Sequence, residues 1–393
     1  MTTTLSHAEI RNVLRAAFFT PGFGGRWGLP LLLIGDPGIG KTSMARSEAR
    51  DAGLASEVLV GSVCDPTDFG GIPAPPSDGT GFARYLLPEW VKRVSEWADG
   101  GVLVLDELTC VPPAQQAAML GLALDGALGG VRLDNRVRII AACNPPEQAV
   151  GGGALPMPMA NRFGHLWVQP ASIDDWAAIL RGDAYGVPSD ASVTEADVLA
   201  VWDAAYQQAQ ALVVTFLRRR PELRQRTPKP GSADAEGAWA SLRSWEFAMR
   251  ALAGARIHGL TDGERDALIA GFVGQAPALE FVTWLRDADL PDAADVLDGK
   301  VQWSPSPMRP DRTQAVLASC VAVVRNDKTS LKVERGRRLW NILAGLTQTP
   351  DLVLEPATLL TGDRDVGALP EATQARRVVM DVARAVQLGG MRR

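Results

Sequence analysis

Residues 35–42 form the glycine-rich segment GDPGIGKT, which matches every fixed position of the phosphate-binding pattern GxxxxGK followed by Ser or Thr. Glycine lets the backbone wrap closely around a pyrophosphate, with N–H groups that point at it from the start of a helix. Lys41 would reach the outer phosphates, and the hydroxyl of Thr42 would hold Mg²⁺. The predicted cofactor-binding residues are Gly35, Asp36, Pro37, Gly38, Ile39, Gly40, Lys41, Thr42 and Ser43.

The sequence around this loop is that of a strand followed by a helix. Residues 31–34 are the apolar run LLLI, typical of a buried strand, and residues 43–52 have a helical pattern. A strand–loop–helix setting is the context in which the motif binds phosphate. The alternative, a glycine turn that happens to carry Gly-Lys-Thr, does not account for this setting. We therefore predict a nucleotide-binding protein.

Polar side chains follow two further predicted strands. The apolar segment 101–107, GVLVLDE, ends in Asp106 and Glu107, and the strand 137–142 is followed closely by Asn144. Nucleotide hydrolysis needs one carboxylate near the metal and another to orient or deprotonate water. We predict these roles for Asp106 and Glu107, and contact with the terminal phosphate or the attacking water for Asn144. Ordinary helix-start charges and a turn-forming Asn are the alternatives.

The elements that position these residues alternate between strand and helix over roughly the first 170 residues, a pattern that predicts an α/β fold with a parallel sheet flanked by helices. Ligands bind such sheets at the carboxyl ends of the strands. Beyond residue 170 only helical patterns occur. The predicted divisions are an N-terminal helix and linker (1–30), a nucleotide-binding core (31–170), a helical lid (171–274) and a C-terminal helical region (275–393).

The core contains a long irregular segment, residues 65–88, rich in Pro, Gly and Asp. Loops of this length are uncommon in compact domains and are usually functional. A disordered surface loop is an equal alternative at this stage. The segment contains five apolar residues that could anchor it: Phe69, Ile72, Phe82, Tyr85 and Leu86.

Composition argues against several other classes of protein. The 393 residues carry a formal net charge of -5, which gives no overall bias toward nucleic acid. The four cysteines and three histidines lack metal-ligand spacing, so we expect neither a zinc site nor a disulfide framework. No apolar stretch approaches a membrane span, and the polar N-terminus lacks the apolar core of a signal peptide. The cytoplasm is the expected compartment.

The best local argument for nucleic-acid binding is the run RRRPELRQRTPK at residues 218–229, with six basic residues and one acidic residue. The run lacks interleaved aromatic residues for base stacking, and most such runs are solvated loops. We do not expect nucleic acid as a partner.

These motifs together resemble those of the AAA+ ATPases. The loop 35–42, the Asp106-Glu107 strand end and Asn144 look like the Walker A, Walker B and sensor 1 elements of that family. Four further segments resemble the MoxR-type branch, which has an insertion in its second helix, and the similarity runs from about residue 31 to about residue 250. These segments are DPTDFGGIP (65–73), LPEW (87–90), AACNPPE (141–147) and PMANRFGHL (158–166).

The resemblance implies ATP with Mg²⁺ as the cofactors and two further active residues. Arg162 matches the arginine finger, which enters the site of a neighbouring subunit, and Arg243 matches the sensor 2 arginine of the lid. Without the family, both would be ordinary surface arginines. The phosphate loop departs from the family at Ile39, where a small or hydroxylated residue is more common, and we expect no loss of phosphate contacts.

By the same resemblance, the protein is expected to form a homo-oligomeric ring, a hexamer, in which the 65–88 insertion lines the pore or docks a partner. It would hydrolyse ATP to remodel or activate a protein partner, one that carries a von Willebrand factor A domain in several relatives. Three alternatives remain open: a nucleic-acid-directed motor similar to restriction-type NTPase subunits, a nucleotide-dependent scaffold, and a metal-chelatase motor subunit.

Overall fold

The computed structural model describes residues 3–75, 84–128, 131–145, 148, 155–181, 193–287, 290–306, 308–346, 349, 351–375 and 377. Strands within these residues form one large sheet and two small hairpins. The strands are β1 (Thr4–Leu5), β2 (Leu31–Ile34), β3 (Ala55–Val60), β4 (Ile72–Ala74), β5 (Arg84–Leu86), β6 (Gly101–Asp106), β7 (Ala127–Leu128), β8 (Val131–Arg132), β9 (Val137–Cys143) and β10 (Gly164–Val168).

The large sheet has six strands in the order β1-β10-β2-β9-β6-β3, and every neighbouring pair is parallel. Its central strands β2 and β9 are buried at every position, and β6 is buried at every position except Asp106 at its end. Strands that are buried along nearly their whole length are typical of a sheet covered by helices on both faces. Because β2, β9 and β6 are parallel, the loops that follow them leave the sheet at the same edge.

Helices account for the other regular structure of the described residues. They are α1 (His7–Phe18), α2 (Lys41–Asp51), α3 (Pro66–Gly70), α4 (Glu89–Ser95), α5 (Pro113–Asp125), α6 (Met157–Ala160), α7 (Ile173–Leu180), α8 (Glu195–Arg219), α9 (Leu242–Ile257), α10 (Asp262–Val273), α11 (Gln275–Asp287), α12 (Ala293–Asp298), α13 (Pro310–Asn326), α14 (Lys332–Ala344) and α15 (Asp351–Thr361). After β10, the described part of the chain forms helices and no strands. The predicted fold, a parallel sheet flanked by helices and followed by a helical region, is confirmed. None of the described helices combines the length and the apolar character needed to span a membrane.

The chain packs into two compact units. The first comprises residues 1–199 and 222–279 and contains the sheet, and the second comprises residues 200–221 and 280–393. The second unit has its own core, in which the fully buried Trp340 of α14 donates from Nε1 to the backbone oxygen of Val366 at 2.9 Å. Most of α8 thus packs with the C-terminal helices, although the sequence pattern placed it within the lid. The four-part division stays a prediction.

The insertion at 65–88 contains α3 and the antiparallel hairpin β4–β5. Phe69 anchors α3 in the core at 2% exposure, and the indole N–H of Trp90 donates to the backbone oxygen of Asp68. The predicted anchoring by Ile72, Tyr85 and Leu86 is wrong, because these side chains are exposed by 53%, 51% and 62%. They lie on a two-stranded hairpin, and no second layer of described residues covers them. The other predicted anchor, Phe82, lies outside the described residues, as do residues 76–83.

His165 on β10 makes the stability of the sheet unit dependent on pH. Burial lowers the pKa of His165 to about 4, although its Nε2 contacts the backbone oxygen of Ala160 at 2.9 Å. As pH falls from 6.5 toward 4, the unfolded chain binds a proton that the folded chain does not, so stability decreases by about 3 kcal/mol across this window. We expect His165→Gln to remove that part of the acid sensitivity, measured as unfolding midpoints at pH 4.5 and pH 7.5. Identical pH dependence of the two proteins would contradict this prediction.

Candidate functional site

The glycine-rich loop joins β2 to α2 at the carboxyl edge of the sheet. Gly38 and Gly40 have φ values of 83° and 90°, in the left-handed region that glycine adopts without a steric penalty. A Cβ at Gly35 would lie 2.5 Å from Cδ1 of Ile39 and 3.0 Å from the backbone oxygen of Val168. The loop therefore needs glycine at these positions, and its last glycine caps the N-terminus of α2, where an anion is favoured.

Lys41 connects the loop to the end of the neighbouring strand. Its ammonium group donates to the backbone oxygens of Gly35 and Asp36 at 2.7 and 2.9 Å, and to Oδ1 of Asn144 at 3.0 Å. Burial lowers the pKa of Lys41, and the nearby charges of Asp106 and Asp36 act in the opposite direction. The ends of β2 and β9 are thus held together by one buried cation.

Thr42 and Asp106 connect the same loop to β6. The hydroxyl of Thr42 donates to Oδ2 of Asp106 at 2.5 Å, and Oδ1 of Asp106 accepts the backbone N–H of Glu107 at 2.9 Å. A hydroxyl and a carboxylate oxygen side by side are the kind of hard oxygen ligands that Mg²⁺ takes. The donor set therefore fits the predicted Mg²⁺.

Glu107 has an unusual backbone conformation, with φ of 55°. No other non-glycine residue in the described part of the chain has a positive φ, and such strain concentrates at functional sites. Its carboxylate oxygen Oε2 accepts a hydrogen bond from the hydroxyl of Ser62. The strain and the hydrogen bond together restrict the direction of the carboxylate.

Sequence reasoning did not identify Ser62, which lies just beyond the end of β3. In the structure β3 ends at Val60, and a turn follows in which the N–H of Val63 donates to the backbone oxygen of Val60 at 3.0 Å. The N–H of Gly61 still donates to the backbone oxygen of Asp106 at 2.9 Å. The small Gly61 before a hydroxyl residue is the sequence signal that could have indicated this turn.

Gln148 is a second contact that the sequence did not reveal. Its side-chain amide donates to Oδ1 of Asp36 at 3.0 Å, so the segment after β9 touches the loop at the side chain of Asp36. Nothing in the spacing distinguishes this glutamine from other surface glutamines. The neighbouring Glu147, part of the AACNPPE resemblance, lies outside the described residues.

The two predicted arginines lie near a shared buried contact. Asn161 donates to the backbone oxygen of Trp239 at 2.8 Å and accepts from the hydroxyl of Ser241, the N-cap of α9, at 2.7 Å. Arg162 follows Asn161 directly, is partly buried, and donates to the backbone oxygen of Pro158 at 3.1 Å. Arg243 lies in the first turn of α9, is exposed, and makes no hydrogen bond or ion pair with the described residues.

The structure therefore joins the loop, Thr42, Asp106 and Asn144 by direct hydrogen bonds, with Glu107 next to Asp106. Arg162 and Arg243 are positioned through Asn161 and the cap of α9 instead. This arrangement can bind a phosphate chain at the loop and a divalent cation at Thr42 and Asp106. It can also hold the carboxylate of Glu107 near a water molecule that attacks the terminal phosphate.

Comparison with known proteins gives three findings. Residues 31–151 match the family described as "ATPase family associated with various cellular activities (AAA)". A curated relative, Midasin from Giardia intestinalis, is 26% identical over 175 residues, which cover 42% of this chain and 3% of the relative. The chain thus spans only a small fraction of that relative's length. A solved structure described as a "putative ATPase" from Cytophaga hutchinsonii is 18% identical with a TM-score of 0.46, and the match covers 69% of this chain and 82% of that one.

Proposed function

We propose that this protein binds ATP with Mg²⁺ and hydrolyses the terminal phosphate bond, a proposal that the match of residues 31–151 to the AAA ATPase family supports. One observation carries the proposal. Two neighbouring side chains at the start of α2 hydrogen-bond to groups at the ends of two strands: Lys41 to Asn144 after β9, and Thr42 to Asp106 at the end of β6.

In this proposal each residue of the cluster has one task. The loop N–H groups and Lys41 bind the phosphates, and Thr42 and Asp106 would hold Mg²⁺, which neutralises developing charge when bound. Glu107 orients the attacking water and accepts its proton, with its carboxylate directed by Ser62. Asn144 already hydrogen-bonds to the Lys41 ammonium, and this contact supports a role for its amide at the terminal phosphate.

We place the active site between copies of the chain in a ring, a hexamer by resemblance. The proposal assigns Arg162 to the site of the neighbouring copy and Arg243 to the phosphates of its own copy. The hydrogen bond between Asn161 and the cap of α9 supports a common role, because it links the segment that carries Arg162 to the helix that carries Arg243. The exposed Arg243 makes no hydrogen bond or ion pair with the described residues, so it is free to contact the phosphates of its own copy.

Arg162 can be tested by mixing two inactive variants. We expect Arg162→Ala and Glu107→Gln to be nearly inactive alone, and their mixture to recover part of the ATPase rate. Recovery arises because a mixed interface can combine an intact Glu107 on one copy with an intact Arg162 on the next. The measurement is steady-state phosphate release across mixing ratios, with Arg224→Ala as a surface-arginine control. No recovery at any ratio would assign Arg162 a role within its own copy.

The proposed biological role is the remodelling or activation of a protein partner in the cytoplasm, in the manner of the MoxR-type branch. The exposed apolar side chains of Ile72, Tyr85 and Leu86 on the β4–β5 hairpin support it, because exposed apolar groups of this size mark interaction surfaces. A partner with a von Willebrand factor A domain remains part of the proposal through resemblance alone.

A nucleic-acid-directed motor is the second candidate. Ion pairs of the basic run within the second compact unit argue against it. Three arginines of the basic run are occupied: Arg218 pairs with Glu355 at 2.7 Å, Arg219 with Asp311 at 2.6 Å, and Arg220 with Glu280. Arginines paired in this way are not available to neutralise phosphates without losing those contacts. A scaffold without turnover is also disfavoured, since it would not need the strained Glu107. A metal-chelatase subunit would share the same site.

The experiment that tests the proposed function is the ATP hydrolysis rate as a function of protein concentration, with the mass of the assembly followed in parallel by light scattering. Specific activity that rises as larger assemblies form supports catalysis between copies. Activity that is independent of concentration in a monomer would contradict the ring. Stimulation by DNA or RNA would favour the motor, and binding without turnover would favour the scaffold.

A further inference from the structure

Helix α5 contains two adjacent glutamines that are almost completely buried. Gln115 and Gln116 are exposed by only 2% and 1%, although glutamine is usually a surface residue. The other residues from 114 to 124 are alanine, methionine, leucine and glycine. A buried amide costs free energy unless its donors are hydrogen-bonded. The hydrogen bonds of these two amides therefore show which backbone segments the helix holds in place.

The amide of Gln115 uses both of its donors on one short turn. Its Nε2 donates to the backbone oxygens of Gly61 and Cys64, each at 3.0 Å. These two carbonyl groups flank Ser62 and Val63, the tip of the turn that follows β3. Ser62 is exposed and Val63 is exposed by 83%, so side-chain packing does little to fix the tip. The Gln115 amide supplies contacts that packing does not.

The same turn lies directly against the segment that carries Glu107. The N–H of Gly61 donates to the backbone oxygen of Asp106 at 2.9 Å, and the hydroxyl of Ser62 donates to Oε2 of Glu107. A Cβ at Gly61 would lie 2.5 Å from Cγ1 of Val111 and 3.3 Å from the backbone oxygen of Glu107. Glycine therefore allows the turn to approach the two carboxylate residues closely.

The amide of Gln116 contacts the backbone immediately after Glu107. Its Nε2 donates to the backbone oxygen of Leu108 at 3.3 Å, and the N–H of Leu108 donates to the backbone oxygen of Ala142 in β9 at 3.1 Å. The backbone oxygen of Glu107 accepts the N–H of Cys110 at 2.9 Å. A left-handed residue such as Glu107, with φ of 55°, keeps its conformation only where the surrounding contacts fix it. Gln116 provides one of these contacts.

We propose that Gln115 and Gln116 are positioning residues for Glu107. Gln115 fixes the turn whose Ser62 hydroxyl directs the carboxylate, and Gln116 fixes the backbone from which the carboxylate extends. In the described part of the chain neither amide hydrogen-bonds to Glu107 itself, so both act through Ser62 or Leu108. The inference rests on the proposed role of Glu107 as the base and adds how that base is held.

The first test measures turnover and ATP binding separately. Gln115→Met keeps most of the side-chain volume and removes both donors, so we expect kcat to fall about 10- to 100-fold, as for a displaced catalytic group. ATP affinity should change by less than about twofold, since the phosphate loop is untouched. Gln116→Met should behave in the same way. The matched control is Gln208→Met, at a glutamine of α8 exposed by 8%, which should hydrolyse ATP as the unmodified protein does.

Thermal unfolding verifies that each variant is folded at the assay temperature. If Gln115→Met does not fold, Gln115→Asn takes its place, because the amide of asparagine is one methylene group shorter and cannot reach both carbonyl groups. The expected loss of kcat is the same, and unchanged kcat in a folded Gln115→Asn protein would overturn the role of Gln115.

Combined variants separate positioning from a general loss of structure. In a Ser62→Ala background, Gln115→Met should lower kcat by less than about twofold further, because the turn no longer carries the hydroxyl. Gln116→Met should keep its full effect in that background, since it acts through Leu108. In a Glu107→Gln background neither change should lower the residual rate. Losses of the same size in every background would assign both glutamines a purely structural role and overturn the inference.

Hydrogen exchange of the nucleotide-free protein gives a readout that does not depend on activity. The N–H groups of Gly61, Val63 and Cys64 are hydrogen-bonded in or beside the turn. We expect Gln115→Met to raise their exchange rates about tenfold, with no change in β2 and β9. Unchanged exchange in the turn would overturn the role of Gln115, and so would an equal increase in β2 and β9, which marks general destabilisation.

The outcomes also separate this inference from the proposed function. If Glu107→Gln hydrolyses ATP at the unmodified rate, the assignment of the base and the positioning role both fail. If Glu107→Gln is inactive while the folded Gln115→Met and Gln116→Met proteins hydrolyse ATP normally, the positioning role is overturned and the base assignment stands. A loss of kcat in only one of the two variants overturns the role of the other glutamine.

Discussion

Glu107→Gln is expected to lower the rate of ATP hydrolysis by about 10² to 10⁴-fold, the range that a positioned general base contributes. The amide keeps the size of the side chain and can still meet the hydroxyl of Ser62, but it cannot accept a proton from water. Binding of ATP should remain, because Glu107 does not take part in the contacts that Lys41 and Thr42 make. The separation of intact binding from lost turnover is the signature of a group that acts in the transition state.

The measurement is single-turnover hydrolysis together with equilibrium binding of a fluorescent ATP analogue. Glu96→Gln, an exposed glutamate just after α4, is the matched control and should behave as the unmodified protein. A second variant, Ser62→Ala, tests whether the hydroxyl directs the carboxylate, since it should alter turnover without changing nucleotide affinity. Unchanged turnover in Glu107→Gln would remove Glu107 from the role of base.

Lys41→Ala should abolish ATP binding, with a loss of affinity of at least about 100-fold, or about 3 kcal/mol. Lys41 is buried at 7% exposure, and its ammonium group joins the loop to Asn144 at the end of β9. Alanine removes both the positive charge for the phosphates and the link between the two strand ends. The effect should therefore exceed that of deleting an ordinary surface cation.

Isothermal titration with ATP and Mg²⁺ measures this loss. Arg46→Ala is the matched control, because it removes a positive charge from the exposed side of the same helix, α2. Thermal unfolding without nucleotide distinguishes lost binding from a lost fold. Retained affinity in a folded Lys41→Ala protein would refute the assignment of the phosphate loop.

Local sequence patterns predicted those elements whose position depends on neighbouring residues in the chain. Ser6 is a residue type favoured at helix N-caps, and its hydroxyl accepts the N–H of Glu9 in a capping box at the start of α1. The strand at residues 31–34 was located to the residue, because an unbroken apolar run before a glycine turn allows few alternatives. Strand ends that carry polar groups were identified for the same reason, since parallel strands bring their carboxyl ends to one edge.

Long-range pairing was not predictable in the same way. Strand β10 was not identified, although it lies directly beside β2, because its place is set by pairing with residues more than a hundred positions away. The insertion shows the converse error. Its apolar residues suggested burial, but a side chain is buried only where another layer packs on it, and among the described residues no layer covers Ile72, Tyr85 and Leu86 on the β4–β5 hairpin.

The sequence by itself determined the chemistry of this protein: a phosphate loop, two carboxylates and an asparagine at the ends of buried strands, because residue type and spacing specify these locally. Only the tertiary structure decided how these groups contact one another, that Ser62 directs Glu107, and that three arginines of the basic run are ion-paired. These features depend on distances between segments far apart in the chain, and packing rather than local propensity fixes those distances.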